Sequence, residues 1–247
     1  MKKFKLLPLE DGSEIIDITN FSWGNKNDYK RLSQKEVSLA IDFSISMLND
    51  NFKPRYKHEP GKYLRNEKEY LMDMFIGKLG EIHVSNELNS LGIKTSEVDF
   101  KVYQGYDDYD LKIFIEEKSY NISIKTSKAN SRLLLLEWGK YSEKGHYLHG
   151  MSGSIKVDAF IAPVIKLNSY FIPKECNDYR EFLLSLDPMG YIYGYLSPIE
   201  IIKCKKKNRF LKAGVKLNNT ISLEVDNFAI RLDSLMPIEN LKNPKIK

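Results

Sequence analysis

Residues 157–167 constrain the fold more than any other part of the chain. The segment reads VDAFIAPVIKL and is apolar at almost every position, whereas a strand with one wet face alternates apolar with polar residues. Such a run suits a central strand buried on both faces, so other elements must cover it above and below. Pro163 inside it withholds one hydrogen bond from the ladder and counts against a regular strand.

The covering elements are legible from their caps. Ser33 and Glu36 form a capping box, followed by Val37, Ala40, Ile41, Ser44, Met47 and Leu48 at helical spacing, which predicts a helix to about Asn49. Asn66 with Glu69 opens a second helix, carried by Phe75, Ile76, Leu79 and Ile82 to Leu91 and stopped by Gly92. Between them, residues 51–64 hold Pro54, Pro60 and Gly61 among Arg55, Lys57, His58 and Lys62, a basic loop able to touch a phosphate. A short helix is expected over 180–186, and Ser197 with Glu200 caps another that carries Pro198 at its first position. Strands are expected over 98–103, 170–172 and 191–195 and in the tail from Gly214. The stretch holding Gly139, Gly145, Gly150 and Gly153 reads as irregular, a candidate substrate loop. There is no internal repeat. The expected architecture is one α/β domain with a central mixed sheet flanked by helices: a helical N-terminal extension over 1–64, a core over 65–200, and a basic segment with C-terminal strands over 201–247.

Two short segments carry the chemistry. Leu111, Ile113 and Ile115 alternate with Asp110, Lys112 and Phe114, and Tyr120, Ile122, Ile124 and Thr126 alternate with Asn121, Ser123 and Lys125. With residues 116–119 as a four-residue turn, Asp110 would stand opposite Lys125, and Lys112 opposite Ser123, on one polar face. A slip of one residue would break the arrangement. Glu81 lies on the second helix in a stripe with Met74, Gly77, Val84 and Leu88, and Gly77 and Gly80 would let that helix come close to the sheet. A helix carboxylate, a strand carboxylate and a strand lysine suit phosphodiester hydrolysis. Magnesium needs only one or two carboxylates beside water and phosphate oxygens, and a lysine next to it can orient water and stabilise developing charge. Taken alone, Asp110 and Lys125 read equally as a cross-strand ion pair, and Glu81 as the edge of a packing stripe.

The ordered series GKLGE (77–81), YDL (109–111) and SIKT (123–126), at intervals of 29 and 15 residues from Glu81 to Asp110 to Lys125, resembles the PD-(D/E)XK nuclease superfamily, which includes restriction endonucleases. The resemblance covers about 69–167 and implies a restriction-endonuclease-like core. It implies Asp110 as the motif aspartate, Lys125 as the motif lysine, Glu81 as the helix acid and Ser123 at the position where the family carries an acid. It further implies Mg2+, with Mn2+ as a substitute, at Asp110, Glu81 and Ile124, and a DNA endonuclease of restriction type. DNA would be the partner, a homodimer would make paired cuts, and there is room for a cognate methyltransferase. Ser123 is the departure, and it keeps open a degenerate module that binds nucleic acid without cutting it, or an interaction subunit of a defence or repair complex. Asp107 and Asp108 are further acids that either approach the same ion or form a polar turn.

Composition narrows the remaining classes. The 247 residues are 42% hydrophobic, ordinary for a soluble globular chain. No stretch reaches the roughly 20 apolar residues of a membrane span, and the N-terminus lacks an apolar signal segment, so the expectation is a cytoplasmic protein with no membrane partner. Cys176 and Cys204 have no CxxC spacing, against a disulfide scaffold or structural zinc. The net charge of +5 is spread over a chain with 33 acids, so local clusters matter more. Lys203, Lys205, Lys206, Lys207, Arg209 and Lys212 fall within ten residues, a phosphate-tracking patch or a solvated helix end. Lys128 and Arg132, just beyond the motif lysine, join them as candidate nucleic-acid contacts. His146 and His149 have an HxxH spacing without nearby acids or cysteines, a weak zinc signal. Residues 150–153 lack the GxSxG elbow, and the absence of a P-loop or GxGxxG argues against a nucleotide cofactor. Tyr103, Tyr106, Tyr141 and Tyr147 offer stacking faces for bases or routine core edges.

Overall fold

The computed structural model describes residues 5–10, 14–17, 19, 21, 28–49, 66–102, 109–129, 131–150, 153–206, 210–217 and 222–242. Along the chain come β1 (Lys5–Pro8), β2 (Glu14–Asp17), β3 (Lys30–Arg31), α1 (Gln34–Asn49) and α2 (Glu67–Ser90). Then follow β4 (Lys94–Thr95), β5 (Leu111–Ile115), β6 (Lys118–Ile124), β7 (Ser127–Lys128), β8 (Leu133–Glu137), β9 (Tyr147–Gly150) and β10 (Gly153–Ile155). The last elements are β11 (Ala159–Lys166), α3 (Tyr179–Leu184), β12 (Met189–Leu196), α4 (Pro198–Lys206) and β13 (Asn227–Arg231).

The architecture is α/β, built on a mixed sheet in the order β3-β12-β11-β6-β5-β4. β11 is central, antiparallel to β12 and parallel to β6, with β7 continuing beside it at Val164 and Ile165. Every residue of β11 but Lys166 is buried, and the ladder slips between Ile161 and Pro163, which absorbs the missing amide hydrogen of the proline. Both capping boxes form. The Ser33 amide donates to Glu36 at 2.7 Å, and Asn66 and Glu69 exchange two bonds of 3.0 Å at the head of α2.

The two faces of the sheet are covered differently. Val84 and Leu88 of α2 pack on Leu111, Ile113, Ile122, Ile124, Ala159 and Ile161. The opposite face, with Phe160, Ala162 and Val164, is covered by Leu134 and Leu136 of β8, Phe228 and Ile230 of β13, and Ile201 and Cys204 of α4. α2 crosses its face at close range. A Cβ at Gly80 would lie 2.0 Å from Thr126 Oγ1 and 2.7 Å from its Cγ2, so only glycine lets the helix settle there. Further along, the His83 ring lies against Gly190 of β12 and is only 4% exposed.

Several expected elements differ. Residues 98–102 leave the sheet: Ser96 donates to the Lys112 carbonyl as the edge ends, the Asp99 side chain takes the Lys101 amide, and Val98 and Phe100 pack against the α1–α2 core. β4 at 94–95 takes the edge position instead. Residues 170–172 form no strand, because the Tyr170 hydroxyl folds back to donate to the Ile165 carbonyl and to accept from the Ala129 amide. The stretch expected to be irregular holds β8, β9 and β10, with β8 paired to β13 along its whole length. The described part of the N-terminal extension contains strands as well as α1: β1 and β2 form a hairpin and β3 joins the main sheet.

Gly80→Ala is expected to destabilise the protein by about 1–3 kcal/mol through overpacking. Adding Thr126→Ala should return part of the loss, since it removes two of the three atoms met; urea denaturation measures both. Burial, aided by Lys30, depresses the His83 pKa below 6.5, with Glu87 and Glu36 pulling the other way. Below about pH 6.5 the unfolded chain binds a proton that folded His83 resists, so stability falls as the pH drops from that value toward the folded pKa. A His83→Gln variant should lose less stability than the parent between pH 7.5 and 5.

Candidate active site

The β5–β6 hairpin turns on two residues rather than four. Glu116 and Glu117 take left-handed φ values of 48° and 64°, and Ile115 pairs with Lys118, Ile113 with Tyr120 and Leu111 with Ile122. A two-residue loop of this hand matches the twist of the strands it joins. The register is therefore shifted by two from the expected one: Asp110 continues the ladder toward Ser123, and Lys112 faces Asn121. A shift of two preserves which residues share a face, so Asp110, Ser123 and Lys125 keep a common side.

Asp110 closes the end of the ladder. Its amide donates to the Ile122 carbonyl at 3.0 Å, while its Oδ2 accepts the Ile124 amide at 2.5 Å and the Ser123 hydroxyl at 3.2 Å. The carboxylate stands where a strand carbonyl would otherwise receive Ile124. Both bonds fall on Oδ2, and Oδ1 receives none from the described residues. Lys125 is fixed through its backbone, which donates to the Ile161 carbonyl of β11 at 2.9 Å. Its half-buried side chain makes no ion pair among the described residues, so the expected Asp110–Lys125 pair is not formed.

The structure does not bring Glu81 to Asp110 by any bond among the described residues. α2 packs on the face of Ile122 and Ile124, whereas Ser123 neighbours Phe160 on the other face. The Glu81 carboxylate holds the buried Lys78 ammonium at 2.5 Å. Lys78 also donates to the Asp99 carbonyl at 2.6 Å and lies over the Phe43 ring at 4.2 Å. A buried cation needs such a partner, and sequence spacing alone gave no sign that Lys78 would turn inward.

Of the two readings open for Tyr141, the structure takes the core edge. Tyr141 is buried against Phe160, ring centroids 5.5 Å apart and edge to face, and offers no open stacking surface. Burial, with the nearby Tyr147, Asp110 and Glu137, drives its phenol pKa far upward, so it stays protonated beside the Asp110 charge. Glu137, at the end of β8, pairs with Lys140 at 2.9 Å. The four leucines before Glu137 were the available signal for a strand delivering this EWGKY segment to the site.

The donors suit an ion shared with a phosphate better than one caged by protein. Asp110 Oδ1 is available, Ser123 spends its hydroxyl hydrogen on Asp110, and no group of three His, Cys, Asp or Glu suited to a metal occurs among the described residues. Asp107, Asp108, Tyr103 and Tyr106 lie outside the described residues, as do Lys207, Arg209 and the side chains of Lys205 and His149. Lys203 and Lys206 are exposed on α4, Lys203 paired with Glu200 at 2.8 Å. Lys128 reaches Asp73 at 3.5 Å, and the Arg132 carbonyl receives the Leu232 amide at 3.0 Å. Comparisons with family models, curated proteins and solved structures find no match.

Asp110→Ala should cost about 1–3 kcal/mol of stability by leaving the Ile124 amide without its acceptor; Asp110→Asn, which keeps an acceptor oxygen, should cost less. Replacing Glu116-Glu117 by Asn-Gly, which suits left-handed φ without strain, should stabilise the protein by about 1 kcal/mol. Thermal or urea denaturation measures both.

Proposed function

We propose that the chain is a metal-dependent DNA endonuclease of restriction type, built on a restriction-endonuclease-like core. The observation that carries the reading is Asp110 bonded to the Ser123-Ile124 strand end, with Lys125 on the same face, at the centre of a mixed sheet. In this reading Asp110 Oδ1 and the Ile124 carbonyl hold Mg2+, or Mn2+ in its place, together with phosphate oxygens. Bound there, the ion supplies a water of lowered pKa and offsets charge on the phosphate. Lys125 places its ammonium beside the scissile phosphate, where it stabilises added negative charge. Asp110 is held by two hydrogen bonds, so it meets substrate without first reordering. Lys203 and Lys206 lie on the helix covering the Ser123 side of the sheet and support contact with a phosphate backbone. Two copies related by a two-fold axis would cut both strands, in the cytoplasm and alongside a cognate methyltransferase.

A second reading, a nuclease-fold module that binds without cutting, is favoured by Ser123 in place of an acid and by Glu81 being engaged with Lys78. Incubation with plasmid, genomic DNA and structured RNA in magnesium, manganese or EDTA separates the two. Discrete metal-dependent DNA fragments, reduced at least about a hundredfold in Asp110→Asn and Lys125→Ala, are expected from the endonuclease. Salt-sensitive binding without cleavage would establish the module, and cleavage untouched by either substitution would place the chemistry elsewhere.

A further inference from the structure

A cavity of about 370 Å³ opens on the far side of β12 from β11. β3 pairs with β12 only at Met189 and Gly190, and Tyr195 is next bridged by Met236. Between them, Tyr191, Ile192 and Tyr193 line a window in the sheet edge, with α2 as its floor and Pro237, Ile238 and Glu239 as its far wall.

The floor holds a buried polar group with no hydrogen-bond partner among the described residues. His83 lines the cavity, is only 4% exposed, and makes no hydrogen bond among the described residues. Gly190 at its back fixes where the ring can stand. Burial keeps it neutral near pH 7, so one ring nitrogen is an acceptor. A buried acceptor with no partner among the described residues asks for a donor from a ligand or water.

Charge narrows the ligand. Among the described residues three carboxylates, Asp28, Glu87 and Glu239, line the cavity with one ammonium, Lys30, and Lys30 is already paired with Glu87 at 2.6 Å. Asp28 and Glu239 make no ion pair among the described residues, and both bear on the Tyr191 phenol. Tyr191 and Tyr193 stand edge to face at 5.1 Å, and tyrosine rings attract cations as well as apolar stems. An anion is repelled here, and no metal-holding group of three ligands occurs among the described residues. We propose that this cavity binds a small organic cation, a primary alkylammonium with a short apolar stem. Its ammonium donates to His83 and lies between Asp28 and Glu239, and its stem rests on Ile192, Ile238 and the tyrosine faces. The site stands independently of any nuclease activity.

Calorimetric titration of the full chain with 1,4-diaminobutane tests this, with uncharged 1,4-butanediol as the shape control. Saturable one-to-one binding of the diamine, with none of the diol, is expected at pH 7.5. Asp28→Asn with Glu239→Gln should weaken it at least about tenfold, while Glu143→Gln with Glu175→Gln, exposed acids elsewhere, should leave it unchanged. His83→Gln should weaken binding too; the rim pair keeps the test decisive if that buried variant fails to fold. No saturable binding up to millimolar diamine would overturn the proposal. So would equal behaviour of the two acid pairs, which would mean diffuse attraction to a charged surface.

Discussion

The pairing of β11 on both of its edges is the constraint from which the rest of the structure follows. Ile165 belongs to the α1–α2 core, Phe160, Ala162 and Val164 to the core under β8, β13 and α4, and Ala159 and Ile161 to the core under α2. One strand thus joins three hydrophobic clusters, and its backbone also sets the candidate site. The Ile161 carbonyl receives the Lys125 amide, and Phe160 lies beside Ser123 in the register. A strand buried on two faces tolerates few changes, since neither side has solvent to accept a displaced group.

α2 divides its length between packing and polar work. At Gly80 it meets Thr126 without a side chain between them, which presses the residue after Lys125 against a rigid helix. Two residues earlier Lys78 reaches inward and takes Glu81 with it. A buried ion pair of this kind seldom adds net stability, but it fixes the direction of both side chains, and here it draws the helix acid toward Asp99 and Phe43 rather than toward Asp110. The split explains why a carboxylate can sit at a motif-like spacing without joining the motif.

What the sequence revealed and what it hid differ by the range of the interaction. The caps of α1 and α2 are local, a side chain binding an amide three residues away, and both formed where Ser33–Glu36 and Asn66–Glu69 placed them. The apolar run of β11 was equally plain, because burial on both faces leaves no polar positions. Lys78 turning inward to the Asp99 carbonyl, the Tyr170 hydroxyl taking the Ala129 amide and β8 finding β13 nearly a hundred residues later are contacts at long range, and no local pattern encodes them. The hairpin lies between these cases. Alternation fixed its faces, yet two consecutive glutamates in left-handed conformation are not a pattern from which a tight turn is read, so the pairing came out two residues away.

That displacement has a consequence for how the hairpin tolerates change. The polar side of β6 is set by odd and even position alone, so chain length at Glu116-Glu117 is in effect quantised. Two residues more or fewer would slide one strand past the other and still leave the Ser123 and Lys125 side chains facing away from Val84 and Leu88. A single residue more would turn them into that apolar layer and bring Ile124 out in their place. The chemistry is thus protected against slippage in pairs and exposed to slippage by one, as with a ratchet whose teeth are two residues apart.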